Sequence, residues 1–140
     1  MHQSSCPSIP QQNGVPERKN RHLLEVARAL LFANKVPSYL WGEAVLTAKY
    51  LINRMSSKVL SFETPTHIFK ECFPVTRVSD DLTLKIFGCT TFVHEHKNIG
   101  KLEPHAIKCV FVRYSSTQKG YKCFDPKKQK NVCHYGHHII

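Results

Sequence analysis

Apolar residues recur at helical spacing in the first half of this chain and at strand spacing in the second. Leu23, Val26, Ala27, Leu30 and Leu31 form one stripe. It predicts a helix from about Pro16, a residue tolerated in a first turn, to near Asn34, ahead of Val36–Pro37. Arg21, Glu25, Arg28 and Phe32 lie opposite, and Glu17 falls at the border of the stripe. A second stripe, Trp41, Ala44, Val45, Ala48, Leu51, Ile52 and Met55, predicts a helix over Tyr39–Met55 with Ser38 as its N-cap. Thr64–Pro65 reads as cap and first-turn proline of a shorter helix reaching about Cys72. After a polar connector the period changes. IFGCTTFVH (86–94), AIKCVFVRY (106–114), GYKCFD (120–125) and KNVCHYGH (130–137) are strand-like and joined by short turns. Strands of this length and spacing predict a small barrel rather than a parallel sheet.

The pattern gives an α+β chain. Residues 1–75 are helical, 76–85 connect, and 86–140 form the β module. There is no internal repeat. The two helical stripes need a cover. They cover each other, or they belong to a domain whose sheet lies before Met1.

Charge narrows the partners. The 140 residues carry a formal net charge of +10. That points to polyanions, nucleic acid first and an anionic membrane second. No apolar run approaches ~18 residues, so no membrane span is expected. The start, MHQSSCPSIPQQ, has no apolar signal core, so secretion is not expected. None of the six cysteines forms a CxxC pair, and Cys89, Cys109 and Cys123 sit in strand-like runs. Free thiols are expected, in a nuclear or other intracellular reducing compartment.

Four features carry candidate chemistry. Glu17 heads a basic helix, and the residues alone favour an i,i+4 ion pair with Arg21. Arg18, Lys19, Arg21 and Arg28 are either phosphate contacts or a solvated face. In the β half, Phe111, Tyr114, Tyr121 and Phe124 are interleaved with lysines. Such a surface holds single strands by stacking and charge, but aromatics at strand spacing more often form core. Cys133, His134, His137 and His138, like the His94–Glu95–His96 alternation, lack the spacing of a common zinc site.

HQSSCPSIPQQNGVPERKNRHLLE and WGEAVLTAKYLINR closely resemble the end of the integrase catalytic core in copia-type retrotransposon polyproteins. FGCTTFVHEH, KLEPHAIKCVFVRYS and KGYKCFDP resemble the SH3-like module that follows it. The resemblance runs from His2 to about His134. It implies the last helices of an RNase H-like core, without its sheet, then a small SH3-like barrel. It also implies that Glu17 matches the last of three carboxylates, Asp, Asp and Glu, that hold Mg²⁺ for DNA strand transfer. Two-metal chemistry sets ions ~3.5–4 Å apart, which one Glu cannot do. No Asp precedes Glu17, and Asp80 and Asp81 come too late for the family order. Asn13, Arg18, Lys19, Arg21 and Arg28 become candidate nucleic-acid contacts.

The chain departs from the family at four places. Ile9 replaces a usual Thr, Pro16 a small residue, and Arg113 a glycine, and the closing YGHHII replaces an acid-containing strand. Pro16 restricts the backbone beside Glu17.

The expected function is therefore that of a polyprotein fragment, ancestrally for DNA integration and inactive as this chain, with Met1 as an internal methionine. No cofactor is expected for the chain itself, Mg²⁺ belonging to the parent integrase. DNA is the expected partner and RNA the second, with no small-molecule substrate. The alternatives are a non-catalytic basic nucleic-acid-binding module and a degenerate reading frame without function.

Overall fold

The computed structural model describes residues 14–76, 82–94, 106–115 and 119–135, with the backbone alone over 130–135. Helix α1 spans Gly14–Ala33, with Pro16 in its first turn. It ends in a Schellman turn. The Lys35 N–H donates to the Phe32 carbonyl at 3.3 Å and the Val36 N–H to the Leu31 carbonyl at 3.0 Å. Lys35, with φ 50°, holds the left-handed position of that turn, which usually falls to glycine.

Pro37 then leads into a single 3-10 turn, Ser38–Leu40, which runs into α2 at Trp41–Ile52. Ser38 lies inside that turn, and no side-chain cap bond is made at Pro37 or Leu40. The expected N-cap is thus corrected. The preceding proline makes the chain enter through a tight turn instead of a capped α start. The stripe of α2 is also narrower than its pattern. Ala44 and Ala48 are fully buried, while Trp41 and Met55 at its ends are exposed. Helix α3, Pro65–Cys72, has the predicted start, and Thr64 Oγ1 accepts from the His67 N–H at 3.2 Å.

Strands β1 (Thr90–His94), β2 (Ala106–Tyr114), β3 (Gly120–Asp125) and β4 (Lys130–Tyr135) form an antiparallel sheet in the order β1-β2-β3-β4. Among the described residues this is an open meander, with no β4–β1 pairing to close the expected barrel. Register shifts between Phe111 and Arg113, where β2 gains one residue against β3. Val112 is that extra residue. A bulge leaves it outside the ladder. Thr47 of α2 meets its freed carbonyl, donating from Oγ1 at 2.8 Å in a fully buried contact.

The helices are therefore not bare. Ala27 of α1, Leu40, and Ala44 and Ala48 of α2 share one apolar cluster with Phe87, Val112 and Phe124 from the second half. The sheet after the connector supplies the cover that the stripes require. The other face of the sheet buries Val93, Cys109, Phe111, Tyr121 and Cys123, closed by Leu82. Two tyrosine hydroxyls strap the segment before β1 across that face. Tyr114 Oη accepts from the Lys85 N–H at 2.8 Å, and Tyr121 Oη donates to the Thr83 carbonyl at 2.9 Å. Gly88, at φ 80°, lets the turn after α1 close down. A Cβ there would stand 2.6 Å from Val36 Cγ2 and 2.9 Å from Asn34 Cβ.

Candidate nucleic-acid interface

The basic residues singled out in the sequence lie on α1, and helical geometry decides which of them act together. With 3.6 residues per turn, Glu17, Arg21 and Arg28 fall on nearly one line, with Glu25 and Arg18 both to one side of it. All five are exposed, as is Lys19. Arg21 Nε reaches Glu25 Oε1 at 3.3 Å, and Arg18 Nε donates to the Gly14 carbonyl at 3.2 Å. Among the described residues Glu17 makes no ion pair, so the expected pairing with Arg21 is replaced by Arg21–Glu25. Asn13, Asp80 and Asp81 lie outside the described residues, as do the side chains of Cys133 and His134 and the whole of His137 and His138.

Among the described residues, no three His, Cys, Asp or Glu side chains gather to hold a metal. The surroundings of Glu17 are an exposed helix face whose other acid, Glu25, is engaged by Arg21. That donor set does not fit a two-ion site by itself.

The aromatics of the β half take the core role. Phe111, Tyr114, Tyr121 and Phe124 are all buried. The rings of Phe111 and Tyr114 meet edge-on at 5.0 Å, and those of Phe111 and Tyr121 at 5.8 Å. They offer no stacking surface. Burial raises the Tyr114 hydroxyl above its ordinary value, and the Lys85 backbone partly opposes that shift. Tyr50 of α2 stacks on Tyr114 at 3.8 Å and is raised chiefly by burial as well. Burial, with Cys123 and Asp125 beside it, pushes the Cys109 thiol up to about 11. Cys72, Cys89, Cys109 and Cys123 are free thiols.

Not all of the lysines and arginines are solvated. Glu43 of α2 points at the sheet, where its Oε2 meets Arg113 Nε at 2.7 Å and its Oε1 meets Lys122 Nζ at 3.6 Å. The three side chains are only 16% to 21% exposed. Arg113, one of the departures from the family pattern, thus has a partner in the helical half. Sequence reasoning missed this knot, because Glu43 and Arg113 lie far apart in the chain.

Residues 89–134 match the retroviral polymerase SH3-like domain family. Over 132 residues the chain is 41% identical to the "Retrovirus-related Pol polyprotein from transposon TNT 1-94" of Nicotiana tabacum, covering 94% of this chain and 10% of that protein. It is 37% identical over 123 residues to the polyprotein of transposon RE1 of Arabidopsis thaliana, covering 87% of this chain and 8% of that protein. Against the Ty1-DR6 Gag-Pol polyprotein of Saccharomyces cerevisiae identity is 28% over 120 residues, covering 86% of this chain and 6% of that protein. The chain thus spans a tenth or less of the length of these relatives. No solved structure matches it. No helix of the described residues is long and apolar enough to cross a membrane. The chain belongs with the Pol polyproteins of copia-type retrotransposons, of which it matches one short stretch, and it carries a retroviral polymerase SH3-like domain over residues 89–134.

Proposed function

We propose that this stretch is the end of an integrase core joined to its SH3-like module, and that it serves DNA integration only as part of a larger polyprotein. The observation that carries the reading is the exposed α1 face on which Glu17 stands among Arg18, Arg21 and Arg28. The cations hold DNA phosphates without reading sequence. Glu17 would contribute one carboxylate toward a divalent metal held jointly with acids of the larger polyprotein, and that metal would supply charge neutralisation at the scissile phosphate. The remaining acids come from elsewhere in the polyprotein, so the isolated chain has no strand-transfer activity.

A joining assay with Mg²⁺ or Mn²⁺ tests this. The isolated chain is expected to give no joined product, and joining activity that disappears in Glu17→Gln would overturn the reading. The cationic face has its own readout in duplex binding over a salt series. Arg21→Gln and Arg28→Gln should each reduce the slope of log affinity against log salt by about 0.9. The exposed basic face also favours a second reading, a binding module with no part in catalysis. Loss of integration when Glu17→Gln is placed in a complete polyprotein, with duplex binding intact, eliminates that second reading.

A further inference from the structure

Between the turn that ends α1 and the sheet lies a half-open cleft of about 160 Å³. Its lining includes Lys35, Val36, Tyr39, Gly88, Val110 and Phe124, and no acidic residue. The volume is well below the roughly 300–1,000 Å³ of a site for a whole small molecule. It has room for about one planar ring. Tyr39 is 64% exposed, with its ring 5.9 Å from that of Phe124. The apolar floor continues along the same face of the sheet. Val110 pairs with Thr90, and one step along, Lys108 pairs with Phe92, both of them exposed. A residue two positions on lies ~6.6 Å away on the same face. An aromatic and a cation therefore follow the cleft at close to the spacing of successive nucleotides.

The backbone adds an independent observation. Lys35 holds the left-handed position of the Schellman turn, at φ 50°. Glycine is the residue that fits there without strain, and the lysine that takes its place is exposed. Lys35 lines the cleft, and among the described residues no acid lines it.

We infer that this cleft is a subsite for one unpaired base of a single-stranded nucleic acid, with Tyr39 as the stacking face and Lys35 as the contact to a flanking phosphate. Stacking tolerates any base, because each has a π-face, and the cation tracks the backbone. The site is separate from the α1 face. Sixteen steps of helical rise from Glu17 to the end of α1 at Ala33 put the turn that holds Lys35 roughly 24 Å from Glu17. It does not depend on the integrase reading.

The test uses the full chain and fluorescent dT12, with a hairpin duplex of equal charge as competitor and oligo-U of the same length as the arm that separates RNA from DNA. The chain is expected to bind dT12 in a salt-dependent manner. Tyr39→Ala should weaken that binding about tenfold or more while leaving duplex binding unchanged. Lys35→Gly is the sharper variant. It should raise the melting temperature by removing left-handed strain, yet weaken dT12 binding and reduce the salt slope by about 0.7. Binding of dT12 that is unchanged in both folded variants would overturn the inference. If duplex binding still responds to Arg21→Gln, the α1 reading survives that result alone. If neither nucleic acid binds at low salt, both readings fail.

Discussion

Helices α2 and α3 differ in a way that separates local signals from tertiary ones. Helix α3 has the better start. Thr64 caps it, Pro65 opens it, and Phe69 and Phe73 pair on its surface at 5.1 Å. Yet none of its residues is buried. Helix α2 has no side-chain cap and begins from a 3-10 turn. It nevertheless buries Ala44, Thr47 and Ala48, and it reaches the sheet through Thr47, Glu43 and Tyr50. A cap is worth about 1 kcal/mol, whereas each large side chain that α2 helps to bury, such as Phe87 or Val112, contributes ~1.5–3 kcal/mol. Capping therefore fixes where a helix starts, and the partner face fixes whether its loss unfolds the protein.

The widest gap is expected between two phenylalanines. Phe87 lies in the cluster under α1 and α2, so Phe87→Ala should lower stability by about 3–5 kcal/mol. Phe69→Ala on α3 should stay within about 0.5 kcal/mol. Urea unfolding measures both, and equal losses would break the contrast. Next comes the charged knot. Glu43→Gln leaves Arg113 and Lys122 facing a neutral partner, with an expected loss of about 2 kcal/mol. That is below the roughly 3–5 kcal/mol of a fully buried pair, because these side chains keep some contact with water. An Arg113→Gly, Glu43→Gln double variant that loses the sum of the two single effects would show that the pair is not coupled.

The mildest effect is alkaline. Cys109 keeps its proton in the folded chain up to about 11, above an ordinary value of 9.0, so the unfolded chain releases it first. Its contribution to stability is full below pH 9 and is lost as pH rises to about 11. Tyr50 and Tyr114 shift in the same direction and add to the decline from about pH 10 upward. Melting curves between pH 7 and 11 should be flat up to about 9 and then fall. Cys109→Ala should shrink the earlier part of the fall and leave the share of Cys89, whose thiol burial also raises. A melting temperature that rises over that interval would contradict the assignment.

Much of the local structure was legible. The α1 stripe, the Thr64–Pro65 start and the bounds of β3 follow from periodicity and turn chemistry, which act over a few residues. Ser38 misled because a good capping residue does not cap when the preceding proline sets a tight turn. The cover on α1 and α2 was illegible. It depends on a bulge at Val112 and on Gly88 yielding space to Val36, and neither leaves a periodic trace. Glu17 was singled out by resemblance, and its spacing alone would have made it an ordinary surface acid. The cleft at Lys35 had one readable sign, the Asn34–Lys35 break before Val36–Pro37, but its other wall comes from the sheet.

The Thr47–Val112 bond joins residues 65 positions apart. During synthesis from the N-terminus, the apolar sides of α1 and α2 emerge well before the strand that will shelter them. At roughly 5–20 residues per second, the ribosome needs about 3–13 s to supply it. Closing so long a loop is a late event compared with forming a hairpin. The helical pair therefore carries an uncovered apolar side over that interval, and β2 is the piece whose arrival covers it.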